Sequence, residues 1–576
     1  MYEYDMRSRK NLQESWCPNI WDVLAFSIVF LAILLIVDAL KNMASPPLDL
    51  GKDHITLDWL SLFHYALYSV VRMLIALLFS LLATFLLGTL AARSAFWERI
   101  IIPLVDILQS VPILGYLSLA ATFFERLFPG QGIGFEFVAL FAIFTSQVWN
   151  MILSFYQSLR MVPKHMNEAA SVMQLTNLQR FWRIDVPYAM PDLLMNIMVS
   201  LSAGWFYVVE SEAIELMHNQ TVLLPGIGSY ISVANDRGDT EALVAAVGVM
   251  FLVIVAYDQL IFRPLSHIVR AYQADDEEQL SRSWLVNIVS RTRFFKLCMS
   301  FVRTMFSYML LWSIPYSRRV SSPDNEKSAL LLGIGQLLLL LACLTGVWFL
   351  ANAHIEFVIS WDRLWYFLYV GLWTMARIVV LLLICVMVWV PIGVWIGFRP
   401  WLADFMMPVV QFVAAFPPNL FYPLIMEFIL VYGLNVEIWC APLLVLGTQW
   451  YILFNVISAV RAIPKDVLFA VRSLRLRGWM LWQRLIFPAI APHLVTGAMA
   501  AAGGAWNACI AAEVLTWKGQ VVSATGLGSV IRHAAVNGNV EEHVWAIAVM
   551  CLYVFLINRL FWNPLYRYVV QHYDNG

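Results

Sequence analysis

Twelve apolar runs, each long enough to cross a bilayer, constrain this chain more than any other feature. A spanning helix needs about 20 mostly apolar residues. In the first half such runs lie near 21–40, 64–92, 100–124, 136–159, 190–216 and 242–262; in the second, near 329–352, 365–398, 402–432, 436–460, 491–516 and 543–562. The runs are apolar all round rather than alternating, so they predict helices and not barrel strands. Composition agrees: of 576 residues 61% are hydrophobic and 13% charged, about half the charge of a soluble domain. The expected fold class is an all-α polytopic membrane protein. A net charge of −1 offers no basic field for nucleic acid. The seven cysteines form no CxxC pair and read as small buried hydrophobes. Trp21 to Leu40 is too long for a signal sequence and has no small-residue cleavage site after it, so it reads as a retained first span.

The two halves are copies of one unit. Ser69 and Arg72 align with Thr374 and Arg377, Gly88 with Gly393, and Pro103 and Pro112 with Pro408 and Pro417, all at a separation of 305. RMVP (Arg160 to Pro163) aligns with RAIP (Arg461 to Pro464) at 301, as do Pro187, Pro191, Trp205 and Glu212 with Pro488, Pro492, Trp506 and Glu513. PGIGSYI, with Gly226 and Gly228, aligns with TGLGSVI, with Gly526 and Gly528, at 300. Six spans is an even number, so the copies share one orientation: a parallel repeat about an axis along the membrane normal.

Orientation follows from Lys and Arg in short loops. The loop after the fourth span holds Arg160, Lys164, Arg180 and Arg183; its partner holds Arg461, Lys465, Arg472, Arg475, Arg477 and Arg484. The loops after the fifth spans hold only Arg237, or Lys518 and Arg532. The 160–190 and 461–491 loops, and both termini, are therefore expected in the cytoplasm. The chain divides into a cytoplasmic N-terminal segment (1–20), a first repeat (21–264), a connector (265–328), a second repeat (329–566) and a cytoplasmic tail (567–576). The connector carries an acidic cluster and then basic residues mixed with aromatics, which predicts a helix lying on the anionic cytoplasmic leaflet.

The loop after the fourth span reads VPKHMNEAASVMQLTNLQRFWRIDVPYAMP, with Glu168-Ala169-Ala170 followed by Ile184, Pro187 and Pro191. This resembles the EAA signature of ABC-importer permeases: E-A-A, a Gly six residues after the Glu, then an apolar residue and a Pro. Gln174 stands at the Gly position. In the second copy Ala470, Leu485, Pro488 and Pro492 fit, while Phe469 replaces the Glu and Arg475 the Gly. The Ser/Thr-x-x-Arg opening of span two, AAEVLTWKG (Ala511 to Gly519) and the GLG after it are similar to the nitrate, sulfonate and taurine branch of these permeases. The resemblance implies a type I importer permease fold of two parallel six-helix repeats, about 12 spans, in a duplicated and fused form. It further implies that each loop is a coupling helix docking on a cytoplasmic ATPase. Small residues on one face permit close approach, Pro163 and Pro464 set the helical entry, and Pro187 and Pro488 are expected to stop the helix before the next span. The alternative is a generic amphipathic loop.

Polar residues within the spans are the other candidates, because buried charge is costly unless paired. Arg72 with Glu212, and Arg377 with Glu513, form expected pairs; the competing reading has the arginines helping an anion enter. Gln147, Asn150, Gln449, Asn455 and Asn507, with the aromatics Trp205, Tyr207 and Trp506, are candidates for lining a polar path, or equally for helix-to-helix hydrogen bonding. The Gly pairs at 226/228 and 526/528 read as turn formers on outer loops. No G-x-x-x-x-G-K-[ST] occurs, so the chain cannot hydrolyse ATP itself; no catalytic or metal-ligating constellation stands out.

The expected function is the permease subunit of an ATP-driven importer in a bacterial inner membrane, carrying a small solute of the nitrate, sulfonate, taurine or bicarbonate class. Its expected partners are two ATPase subunits, which hold the ATP and magnesium, and a solute-binding protein. The alternative is a secondary transporter with parallel six-span halves.

Overall fold

The structure, a computed structural model, describes residues 20–44, 54–129, 132–216, 220–262, 361–518 and 520–573, with isolated positions at 264–265, 292 and 304–305. The expected run 329–352 and nearly all of the connector lie outside the described residues. Contacts sort the chain into two compact units, residues 1–41, 158–195 and 257–320 in one and residues 42–157, 196–256 and 321–576 in the other. The packing and bonding between the repeats described below lies within the second unit.

The first repeat runs α1 (Ile20–Ala44), α2 (Trp59–Arg93), α3 (Ala95–Ser110), α4 (Ile113–Leu127), α5 (Ile133–Arg160), the short α6 (Lys164–Val172) and α7 (Asn177–Glu212). A hairpin of β1 (Ala213–Leu216) and β2 (Gln220–Leu223) follows, then α8 (Ile227–Arg237) and α9 (Thr240–Ile261). The second repeats the order: α10 (Trp361–Gly397), α11 (Pro400–Ala415), α12 (Pro418–Val431), α13 (Val436–Leu446), α14 (Gln449–Arg461), α15 (Lys465–Ser473) and α16 (Trp479–Ala512). It closes with β3 (Val514–Trp517), β4 (Gln520–Ser523), α17 (Leu527–Val536) and α18 (Val540–His572). Both hairpins are antiparallel, pairing Ala213 with Leu223 and Val514 with Ser523.

Among the described residues seven helices are long and apolar enough to cross a membrane, or nine if each of two bent pairs is one span; the expected run 329–352 lies outside that count. Three expectations need correction. The third spans, expected at 100–124 and 402–432, are broken. Val111 and Phe416 sit at ψ 124, in extended conformation, each before a proline; clash with the proline ring drives the preceding residue out of the helical region. In the second repeat this bends the pair by 70°, and a second break bends α13 against α14 by 42°. The fifth spans stop at Glu212 and Ala512 rather than at 216 and 516, because the chain enters the hairpins there. Pro187 and Pro488 do not end their helices either. Each follows one turn of π-helix (Phe181–Asp185, Trp482–Ile486) and lies inside a helix that continues. A π turn shifts the bonding pattern where the proline has no N–H to give.

The repeats share their packing. Ala91, Ile101, Val105, Val148 and Ile152 form a buried cluster in the first, and Ile396, Ala403, Val410, Leu453 and Ile457 one in the second. Span two rests on span four at Gly88, which meets Phe155, and at Gly393, which meets Val456. A side chain at either glycine would push the helices apart. Buried alanines at 498, 501, 502 and 505 line one side of α16, a small-residue face of the kind that lets membrane helices approach closely. Leu78, Phe79 and Leu82 of α2 and Met387, Val388 and Trp395 of α10 are exposed, as a lipid-facing surface requires.

Candidate functional site

Two features stand out: a charged node repeated in each half, and the two short helices α6 and α15. In the first node Arg72 of α2 is fully buried. Its Nη1 donates to Glu212 Oε1 at 2.9 Å, and its Nε and Nη2 donate to the two oxygens of Glu136 at 2.8 and 2.6 Å. Nη1 also donates to the Pro225 carbonyl at 2.8 Å. Glu212 accepts as well from the Ser69 hydroxyl at 2.6 Å and the Gly228 N–H at 2.8 Å.

The second node matches it. Glu513 accepts from the Thr374 hydroxyl at 2.8 Å, Arg377 Nη1 at 3.2 Å and the Gly528 N–H at 2.8 Å. Arg377 also pairs with Glu437 and donates to the Thr525 carbonyl at 2.7 Å. Glu437 accepts from Thr525 N–H and Oγ1, both at 2.8 Å. The partners Glu136 and Glu437 were missed by sequence reasoning. They lie 301 residues apart, so the repeat spacing itself marks them.

The glycine pairs belong to these nodes and are not outer-loop turns. Gly226 and Gly526 open α8 and α17, and most of both helices is buried. A Cβ at Gly226 or Gly526 would strike the carboxylate of Glu212 or Glu513; at Gly228 or Gly528 it would strike the carbonyl of Val209 or Cys509. Space, not backbone freedom, demands glycine at these four positions.

The short helices α6 and α15 are built alike. α6 begins after Pro163, exposes Glu168 and Ala169, and buries Ala170. Arg180 Nη2 donates to Asn167 at 2.7 Å, and Thr176 and Gln179 form a capping box at the start of α7. α15 begins after Pro464 and exposes Phe469 and Ala470. The helices end with the same reversal. Gln174 has φ 50 and Arg475 has φ 49, and the residue after each donates five positions back, Leu175 to Ala170 at 3.1 Å and Leu476 to Val471 at 3.2 Å. A left-handed residue at that point is the usual helix stop and favours glycine. The glycine of the signature is thereby explained, and this chain holds the conformation without it.

The eight pathway candidates differ in burial: Asn150 is exposed, and Gln449, Asn455 and Asn507 are half-buried. Gln147, Trp205, Tyr207 and Trp506 are buried. Gln147 Nε2 lies 3.1 Å from the Met73 sulfur, and Trp506 stacks on Tyr553. Asn150 accepts from Gln109 at 2.9 Å, Gln449 from Trp389 at 3.0 Å, and Asn455 donates to the Tyr451 carbonyl at 2.8 Å. Asn507 bridges the repeats, accepting from the Ile113 N–H at 2.6 Å where α4 starts after the break.

Residues 84–263 and 389–573 each match the family described as the inner membrane component of binding-protein-dependent transport systems. Together they cover more than half of the chain. The chain belongs to this family. It carries the family's unit twice, as a fused two-unit form of the ABC permease fold. The nitrate import permease protein NrtB of Leptolyngbya laminosa is 24% identical over 201 residues, 35% of this chain and 67% of that protein. The taurine transport system permease protein TauC of Escherichia coli is 23% identical over 193 residues, 34% and 65%. The bicarbonate transport system permease protein CmpB of Synechocystis is 27% identical over 168 residues, 29% and 56%. The chain thus spans about two thirds or less of the length of these relatives. As a permease of this family it is a multi-pass membrane transport protein.

Proposed function

We propose that this permease forms the whole membrane pathway of an ATP-driven importer, with both termini in the cytoplasm of a bacterial inner membrane. A binding protein delivers a small solute of the nitrate, sulfonate, taurine or bicarbonate class to the outer face. Two ATPase subunits grip α6 and α15 from inside, and the ATP and magnesium are theirs.

The pair of cytoplasmic helices carries this reading. Their loops carry Lys and Arg and also expose Met161, Val172 and Met173 in one copy and Phe469, Leu474, Trp479 and Met480 in the other. Apolar groups displayed on a water-facing surface mark a protein contact. The charged nodes serve structure: each arginine is held between two carboxylates and a carbonyl. ATP binding drives the cycle only if it favours one pore state over the other, since equal affinity shifts nothing.

Affinity purification of the tagged permease from its own host is the test. An ABC ATPase is expected to co-purify, and cysteines placed at Ala169 and Ala470 are expected to cross-link to it. A stable permease that cross-links to no nucleotidase contradicts the reading.

A further inference from the structure

Between the repeats lies a cavity of about 80 Å³ whose polar lining comes from four residues: Ser118 of α4, Glu210 of α7, Arg532 of α17 and His543 of α18. Leu114 and Ile510 are among its apolar walls. The space admits a small molecule of several heavy atoms. We propose that this cavity is a transport subsite for a small zwitterion, its acid group toward Arg532 and its ammonium toward Glu210. The proposal deepens the importer reading and rests on it for delivery of the solute.

The charge balance argues for this class. One carboxylate and one guanidinium line the space, so a bare anion entering it meets a like charge in a low-dielectric wall. A solute bearing both signs meets a partner at each end. The polar groups are held in place. Asn419 donates to Glu210 Oε1 at 2.7 Å, and Arg532 Nη1 donates to the Val514 carbonyl at 3.3 Å. His543 Nδ1 faces the Ile531 carbonyl at 2.9 Å and its Nε2 faces the Ser118 hydroxyl at 3.0 Å. A neutral ring with its proton on Nδ1 satisfies both contacts.

The site is also one-sided. The repeat spacing places Ala511 opposite Glu210, Ser232 opposite Arg532 and Leu243 opposite His543. A dimer of identical units must carry every charge twice. A fused chain is free to hold a charge in one copy alone, and this one does at Glu210 and Arg532.

The test is thermal unfolding of the full chain in lipid nanodiscs, followed by tryptophan fluorescence, with β-alanine, propionate, ethylamine or nitrate at millimolar concentration. β-Alanine is expected to raise the midpoint, and the single-charge probes are not. The rise is expected to vanish in Glu210→Gln and in Arg532→Gln, and to shrink in Ser118→Ala. Propionate or nitrate matching β-alanine, no rise with any probe, or a rise that survives both charge substitutions overturns the proposal. The contrast among probes on the unaltered chain decides even if a variant fails to fold. No ATPase is present, so a failure here beside intact ATP-driven uptake removes the subsite and leaves the importer reading standing.

Discussion

Arg72 and Arg377 occupy matching positions but stand in unequal surroundings. Arg72, Glu212 and Glu136 are almost wholly buried, whereas the Glu437 side chain is 42% exposed. Removing one partner of a buried ion pair costs about 3–5 kcal/mol, because the remaining charge stays buried without compensation. Arg72→Gln is therefore expected to lower the unfolding temperature of the purified permease well below that of Arg377→Gln, where water reaches Glu437. Equal losses would contradict the structural role. Gln174 and Arg475 allow an opposite test. A non-glycine residue in the left-handed region costs roughly 1–2 kcal/mol. Gln174→Gly and Arg475→Gly are thus expected to raise the denaturation midpoint, in each case without loss of the helix end; a fall would show that their side chains supply more than their backbones cost.

At the scale of elements, α6 and α15 share one build and present different faces. α6 presents Glu168 and Ala169, and α15 presents Phe469 and Ala470 beside a longer apolar series. Glu168→Ala is expected to leave solute-stimulated ATPase activity less impaired than Phe469→Ala, since an exposed aromatic side chain that becomes buried on docking contributes more than a rim charge. Identical defects would count against unequal docking. The location of these helices was legible, because a signature at matching positions in a duplicated chain leaves little room for accident. The breaks were not. Hydropathy reports that a run is apolar, not that its axis turns at Pro112 or Pro417. The short buried helices α8 and α17 were also illegible, since their burial comes from packing against distant parts of the chain. The glycine pairs that open them looked like turns until Glu212 and Glu513 were seen beneath them.

For the whole molecule, duplication is the fact from which the rest follows. It yields two matching nodes and two matching short helices, α6 and α15, in one polypeptide, and it lets the halves diverge where a symmetric dimer cannot. The repeat offset was enough to pair Arg72 with Arg377 and Glu212 with Glu513. It was also enough to reveal Glu136 and Glu437, had it been followed through the first turn of each fourth span. The central claim is that an external ATPase, acting through α6 and α15, moves solute through this pore. Uptake into proteoliposomes holding the permease, its ATPase and its binding protein measures it directly. Uptake is expected only with internal-facing ATP and magnesium, and is expected to stop when the ATPase is omitted. Solute accumulation driven by an ion gradient with the permease alone would contradict the account.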